Sequence, residues 1–326
     1  MLWCNDKGEE HTFTFSDLEK YSNRAANLFT KLGIGRGDTV VLILKRHYEF
    51  WFALLGLHKV GAVGIPATNL LTKKDLVYRF NAAHVKGIIC TTDGEVMDHA
   101  DAAFPESPTV KVKIGVHGAH EGWVDFSKEL ESQPDSFERA ETSAADPMLL
   151  YFTSGTTGMP KMVWHDYTYP IAHIMTAKYW HNVVPDGLHL TLSDTGWMKA
   201  MWGKLYGQWF MEAGIFLSVT LTSLHPLSCC PCLRNTTSPL SAHLLPCTAF
   251  FIKEDLSKYD LSSITHATIA GEPLNPEVFN QFYKATGLKL MEGFGQTETT
   301  LTLFNPVGTE PNPALWASLL RHTMWI

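Results

Sequence analysis

No stretch of this chain is both long enough and apolar enough to span a bilayer. The most apolar run, Phe50 to Pro66, is interrupted by His58 and Lys59 and reads as a buried helix followed by a strand. The first residues, Met1-Leu2-Trp3-Cys4-Asn5-Asp6-Lys7, place no basic segment ahead of an apolar core, so no signal peptide is read there and a cytoplasmic location is expected. Positive charge is in deficit: 26 Lys and Arg stand against 33 Asp and Glu, a net charge of -7. That balance argues against nucleic acid as the main partner and against an anionic membrane surface. Repeats and low-complexity tracts are absent. Cysteine is sparse, at six residues in 326. Cys4 and Cys90 stand alone in apolar surroundings and read as reduced core residues. The other four crowd together as Cys229, Cys230, Cys232 and Cys247.

What is present is alternation. His11 to Phe15 reads as a strand, and Ser16 with Glu19 as a capping box for a helix running to Leu32 and stopped at Gly33. Thr39 to Leu44, Ala62 to Pro66, Lys86 to Thr91 and Val110 to Val116 read as strands. Helices fall between them, from Phe50 to Val60 and after Thr72, which has Asp75 three residues on. Glu129 to Ala145 is polar and unpatterned and reads as a surface excursion. Strands alternating with helices predict layered α/β architecture with parallel sheet. Two subdomains are expected, 1–145 and 146–326.

The most specific stretch follows. Met148 to Phe152 is an apolar strand that feeds Thr153-Ser154-Gly155-Thr156-Thr157-Gly158-Met159-Pro160-Lys161. Glycines let a backbone approach a phosphate closely, hydroxyls add neutral donors, and Lys161 adds a full positive charge, so the loop suits a polyphosphate. It is not a Walker loop, because Pro160 precedes the lysine and Met162 follows it. Downstream, Ala267 to Ala270 reads as a short strand ending at Gly271-Glu272-Pro273-Leu274. A helix from Pro276 to Ala285 then leads to Met291-Glu292-Gly293-Phe294-Gly295-Gln296-Thr297-Glu298-Thr299. A carboxylate beside a hydroxyl is the donor set a hard cation and a charged phosphate require.

The string from Tyr151 to Lys161 resembles the signature of the adenylate-forming superfamily, which includes acyl-CoA synthetases, luciferases and peptide-synthetase adenylation domains. The string from Met291 to Thr299 resembles the second signature of that superfamily, with Phe294 where tyrosine is usual. Ser193-Asp194-Thr195-Gly196-Trp197 resembles the acyl-pocket border of short- and medium-chain acyl-CoA synthetases. The resemblance implies the large N-terminal domain of such an enzyme, with ATP, Mg²⁺ and coenzyme A as cofactor and co-substrates and a carboxylic acid as substrate. It implies that Thr153, Ser154, Gly155, Thr156, Thr157, Gly158 and Lys161 hold the β- and γ-phosphates. His165 stands where members commonly carry a histidine. Gly271, Glu272 and Pro273 border the adenine, Glu292, Gly293 and Phe294 line it, and Gly295 and Gln296 continue that wall. Thr297 meets the α-phosphate, Glu298 holds Mg²⁺, and Lys161, Thr297 and Glu298 are the catalytic set. Trp197 and Gly295 are expected at the substrate pocket, and Trp202 and Trp209 are either pocket caps or core aromatics. The family's ribose-binding aspartate, hinge and C-terminal lid are expected to lie beyond Ile326.

Two stretches break this texture. From Leu217 to Ala249 the only charged residue is Arg234, and no helix or strand period is visible. A shifted reading frame can give a charged, amphipathic segment there that resembles the family, and the same offset serves 314–326. Both stretches are therefore expected to be out of frame, and the cysteine cluster to be an artefact of translation rather than half a zinc site. A second sheet without its central strand is then expected to expose unpaired strand edges. The reading at this point is an acyl-CoA synthetase by family, with this chain itself expected to be incomplete and inactive. The alternatives are a non-catalytic nucleotide-binding remnant and another adenylating ligase branch, the last disfavoured by Ser193 to Trp197 and by Met162 after Lys161.

Overall fold

Thr14 starts the first long helix. Its extended backbone lets its hydroxyl accept from the Asp17 N–H at 3.1 Å, while the Asp17 carboxylate accepts from the Thr14 N–H at 2.8 Å. This reciprocal cap replaces the one expected at Ser16 and Glu19, and the helix runs Phe15–Lys31. Two overlapping cap patterns compete here. The earlier one prevails because Phe13, just outside the cap, is held against Tyr21 and Phe52. Thr72 and Asp75 cap the helix Lys73–Ala82 in the same way, as expected.

A computed structural model describes residues 1–5, 7–154, 158–218, 262–271 and 273–311, together with the backbone of 240–244. The strands are β1 (Leu2–Cys4), β2 (Glu10–Thr12), β3 (Thr39–Ile43), β4 (Val63–Pro66), β5 (Gly87–Thr91), β6 (Val112–Val116), β7 (Val124–Asp125), β8 (Pro147–Thr153) and β9 (Lys161–Asp166). They continue as β10 (Leu188–Thr191), β11 (Gly214–Ser218), β12 (Leu240–Leu244), β13 (Ile264–Ala270), β14 (Leu290–Gly295) and β15 (Leu301–Phe304). By packing, the chain divides into two units. One comprises Phe13–Thr168 with Asp194–Met198; the other comprises Met1–Thr12, Tyr169–Ser193 and Lys199–Ile326.

The first of these units holds a seven-stranded sheet, ordered β7-β6-β5-β3-β4-β8-β9. All its pairs are parallel except β8 with β9. β3, β4 and β5 are buried along their whole length, as apolar, β-branched strands covered on both faces should be. The helix Glu49–Val60 lies almost wholly buried. Gly56 lets it approach Phe15–Lys31, since a Cβ there would sit 2.7 Å from that of Ala25. Among the described residues no helix is long and apolar enough to cross a membrane. Cys90 is fully buried on β5, and burial pushes its thiol up to about 12.

The second unit holds an eight-stranded sheet, ordered β15-β14-β13-β12-β10-β11-β1-β2, antiparallel only at its two ends. Cys4 is buried on β1, free, with its thiol raised to about 11 by burial. Leu217 and Ser218 are buried at the end of β11. The backbone of Leu240–Leu244 pairs with β10 on one side and β13 on the other. The expected gap in this sheet is therefore filled. A slot between two parallel strands offers main-chain hydrogen bonds to any extended segment, whatever its side-chain period. Cys229, Cys230, Cys232 and Cys247 lie outside the described residues, as does 314–326.

Candidate active site

The candidate phosphate loop joins the two strands of a hairpin. β8 and β9 are antiparallel with Thr153 opposite Lys161 as their last pair, so the seven residues between them close the turn. A Walker loop runs into a helix; this one returns along its own strand. Thr153 is half-buried, whereas Ser154, Gly158 and Lys161 are exposed. Gly158 has φ +115, a conformation L side chains rarely adopt. Gly155, Thr156 and Thr157 lie outside the described residues. The tip is pinned from below, because the Tyr78 hydroxyl donates to the Pro160 carbonyl at 2.7 Å and the Arg79 guanidinium lies over the Phe152 ring at 5.3 Å. No spacing in the sequence points to Tyr78, which lies 82 positions away. His165 is buried further along β9, opposite Leu149.

In the same unit, residues 194–197 form a tight turn. The Asp194 carboxylate accepts from the Gly196 N–H at 2.9 Å, its carbonyl accepts from the Trp197 N–H at 3.1 Å, and Arg46 lies 4.0 Å from it. The Thr195 hydroxyl donates to the Lys45 carbonyl. Gly196 presses on the Ala67–Thr68 peptide, where an added Cβ would meet backbone atoms at 2.5 Å. Backbone cannot step aside as a side chain can, so Gly196→Ala should cost about 1–3 kcal/mol. A thermal melt that left the variant within a degree of the parent would contradict this contact. Trp197 is 63% exposed, as a residue that borders an open pocket can be.

The second unit carries the other string of candidate residues. β14 carries Glu292, Gly293 and Phe294 into a turn in which the Gln296 N–H donates to the Thr299 hydroxyl. Gly293 and Gly295 are packed from behind. A Cβ on Gly293 would stand 2.8 Å from the Trp180 indole, and one on Gly295 would stand 2.6 Å from that of Trp202. Trp202 itself is a core aromatic, 3% exposed, with its indole N–H donated to the Tyr169 hydroxyl at 3.0 Å. Glu292 is buried, and its Oε1 accepts from the Leu274 N–H at 2.8 Å. The carboxylate thus anchors the segment of Gly271, which has φ +102, and exposed Pro273; Glu272 lies outside the described residues. Asn305, which the sequence did not single out, pins the Glu292 backbone twice: its side-chain Oδ1 accepts from the Glu292 N–H at 3.1 Å, and its own N–H donates to the Glu292 carbonyl at 2.9 Å. Glu292→Ala should cost about 1–3 kcal/mol by stranding the Leu274 N–H. Glu292→Gln keeps an acceptor there and should cost less, a difference that denaturant titration of the two variants would resolve.

Thr297 is half-buried and Glu298 is exposed. For Glu298 and for Lys161 no ion pair is found among the described residues. Lys161, Ser154 and Thr153 are brought together at one turn, and Glu292 to Glu298 at another.

The model of AMP-binding enzymes matches residues 2–319. The chain belongs to that family. Among family members, "Acyl-coenzyme A synthetase ACSM4, mitochondrial" of Mus musculus is 35% identical over 321 residues, which is 96% of this chain and 54% of the relative. "Acyl-coenzyme A synthetase ACSM5, mitochondrial" of Homo sapiens is 34% identical over 313 residues, covering 94% of this chain and 53% of the relative. The chain therefore spans about half the length of the curated relatives it matches. Two solved structures share the fold. An anthranilate CoA ligase in complex with anthranoyl-AMP has a TM-score of 0.84 at 23% identity, covering 95% of this chain and 59% of that one. A Brucella canis acyl-CoA synthetase has a TM-score of 0.84 at 21% identity, covering 95% and 57%. The family's layered α/β fold is thus present in this member.

Proposed function

We propose that the protein is an acid–thiol ligase of the acyl-CoA synthetase type, acting on ATP, a short- or medium-chain carboxylic acid and coenzyme A. The observation that carries this reading is the hairpin tip, where Lys161 stands exposed opposite Thr153 at the end of a hydroxyl- and glycine-rich turn. The relatives' names support the acyl-CoA branch over other adenylating ligases.

The residue assignments belong to the same proposal. Thr153, Ser154, Gly155, Thr156, Thr157, Gly158 and Lys161 bind the β- and γ-phosphates. Gly271, Glu272, Pro273 and the wall from Glu292 to Gln296 receive the adenine, and His165 supports the loop from within β9. The donor set fits a divalent cation: Glu298 is an exposed hard oxygen donor and would hold Mg²⁺, which supplies charge neutralisation when bound. The acid's carboxylate oxygen attacks the α-phosphorus, the bond to the bridging oxygen breaks, and pyrophosphate leaves. Lys161 and the loop N–H groups take up charge on the departing phosphates, and the Thr297 hydroxyl donates to the α-phosphate oxygen. The thiolate of coenzyme A then attacks the acyl carbonyl and AMP leaves. Trp197 and Gly295 bound the acyl chain.

The test is acid-dependent exchange of labelled pyrophosphate into ATP, followed by a thioester assay with coenzyme A. Exchange with a straight-chain acid supports the ligase. ATP binding without exchange favours the second reading, a nucleotide-binding remnant. Absence of both overturns the assignment. The stretches 217–249 and 314–326 are proposed to be out of frame, and a clean read of the gene across those codons would remove that part. The cytoplasmic location competes with the mitochondrial one in the relatives' names, and fractionation of cells decides between them.

A further inference from the structure

Three loops meet at the C-terminal end of the seven-stranded sheet. β3, β5 and β6 are neighbours and parallel, so the loops that follow them emerge on the same side. The first delivers His47 and then Glu49, which opens the helix Glu49–Val60. The second delivers Thr91 and Asp93, and the third delivers His117. His47 and Glu49 are 7% and 4% exposed, and the His117 side chain is 32% exposed. One ring nitrogen of each histidine and one oxygen of Glu49 lie within 4.8 Å of one another. The two imidazole centroids are 4.0 Å apart, and His117 Nε2 is 3.2 Å from Glu49 Oε2.

The protonation pattern is set from outside the cluster. His47 Nε2 lies 2.9 Å from Asp93 Oδ2, and a carboxylate can only accept, so Nε2 carries the hydrogen. The lone pair is then on Nδ1, which is buried and has no hydrogen-bond partner among the described residues. A carboxylate behind an imidazole whose other nitrogen is left as a donor pair is the arrangement that supports metal-ligating histidines. Lys45, 3.7 Å from Asp93, offsets that carboxylate and leaves the charge of Glu49 for a cation. His117 sits at φ +67, an uncommon conformation for a non-glycine residue, and the Thr92 hydroxyl holds its carbonyl at 2.7 Å.

We propose that His47, Glu49 and His117 form a site for one divalent transition-metal ion of the zinc class, with Asp93 as the residue that positions His47. Two imidazoles and one carboxylate suit zinc, cobalt or nickel, and do not suit calcium or magnesium, which take oxygen donors. Three protein ligands leave a fourth position for water. The ion would tie the segment after β3 to the loop after β6, with the loop after β5 held to them through Asp93 and His47.

The experiment uses the full chain, freed of metal by chelation, with Co²⁺ as the probe and Zn²⁺ as its competitor. The expected result is one Co²⁺ per chain giving visible bands of nitrogen and oxygen ligation, displaced by Zn²⁺. His117→Gln should abolish those bands. Asp93→Asn should weaken binding by about 10- to 100-fold, and His120→Gln, in the same unit but outside the cluster, should leave it unchanged. Bands that persist in His117→Gln overturn the site, as does a spectrum carrying only thiolate charge transfer, which would place the ion on cysteines. A measurement on the unsubstituted protein guards against a variant that fails to fold. Zn²⁺ should protect His117 from diethyl pyrocarbonate, read by mass spectrometry, and equal modification with and without Zn²⁺ refutes the proposal.

Discussion

Lys161→Ala should lower the affinity for ATP by about 10- to 100-fold while the melting temperature stays at the parent value. The ammonium is exposed at the last pair of the β8–β9 hairpin, and no ion pair among the described residues depends on it, so its removal strands no buried partner. On the proposed role it would remove one charge-assisted contact to phosphate, worth about 1.5–3 kcal/mol, which gives that range in Kd. The loss should grow with the number of phosphates on the nucleotide, being largest for ATP and small for AMP. Calorimetric titration with ATP, ADP and AMP against both proteins measures it. Equal affinities of parent and variant for ATP would show that the loop does not hold the terminal phosphates.

The second large effect is acid lability. His58 lies in the helix Glu49–Val60 and His189 on β10, and burial drives the pKa of each down to about 3. The Arg139 charge adds to the shift at His58, and the His266 and Lys204 charges add at His189. In the unfolded chain both titrate near about 6.5. The fold therefore holds both rings neutral, and their contribution is complete above the unfolded value. As the pH falls below about 6.5, the unfolded chain gains protons that the folded chain refuses, and stability is lost progressively toward the folded value. Each ring costs about 1.4 kcal/mol per pH unit in that window, hence about 2 kcal/mol each at pH 5. The two rings sit in different units, so both units should weaken together. Melting temperature should be level from pH 8 to 7 and fall steeply below 6.5. His189→Gln should flatten the part of the fall that belongs to the eight-stranded sheet. A profile without a break near 6.5 would mean that these rings are protonated in the fold. The capping carboxylates Asp17 and Asp75, held below their ordinary value by their threonine partners, add a further loss only at still lower pH.

Legibility followed range. Thr72 with Asp75, and the strand ahead of Thr153, were readable because the interacting groups lie within four residues of one another. The competing Thr14 and Ser16 caps show the limit of such reading: both patterns are locally sound, and only the packing of Phe13 against Tyr21 and Phe52 selects one. Leu240–Leu244 has no legible period, yet it pairs on both sides, because its neighbours supply the hydrogen-bonding template.

By itself the sequence determined the family, the α/β alternation, and the two strings that carry the candidate phosphate and adenine residues. These depend on residue type at fixed spacing, and spacing along a chain is visible without a fold. Tertiary structure alone decided that the candidate phosphate loop joins two hairpin strands and is pinned by Tyr78, and that Glu292 spends its carboxylate on the Leu274 N–H. It also decided that His47, Glu49 and His117 meet at one end of the sheet's strands. Tyr78 and Pro160 are 82 positions apart, Glu49 and His117 are 68, and Leu274 and Glu292 are 18, and only strand order and packing bring groups so separated within reach of one another.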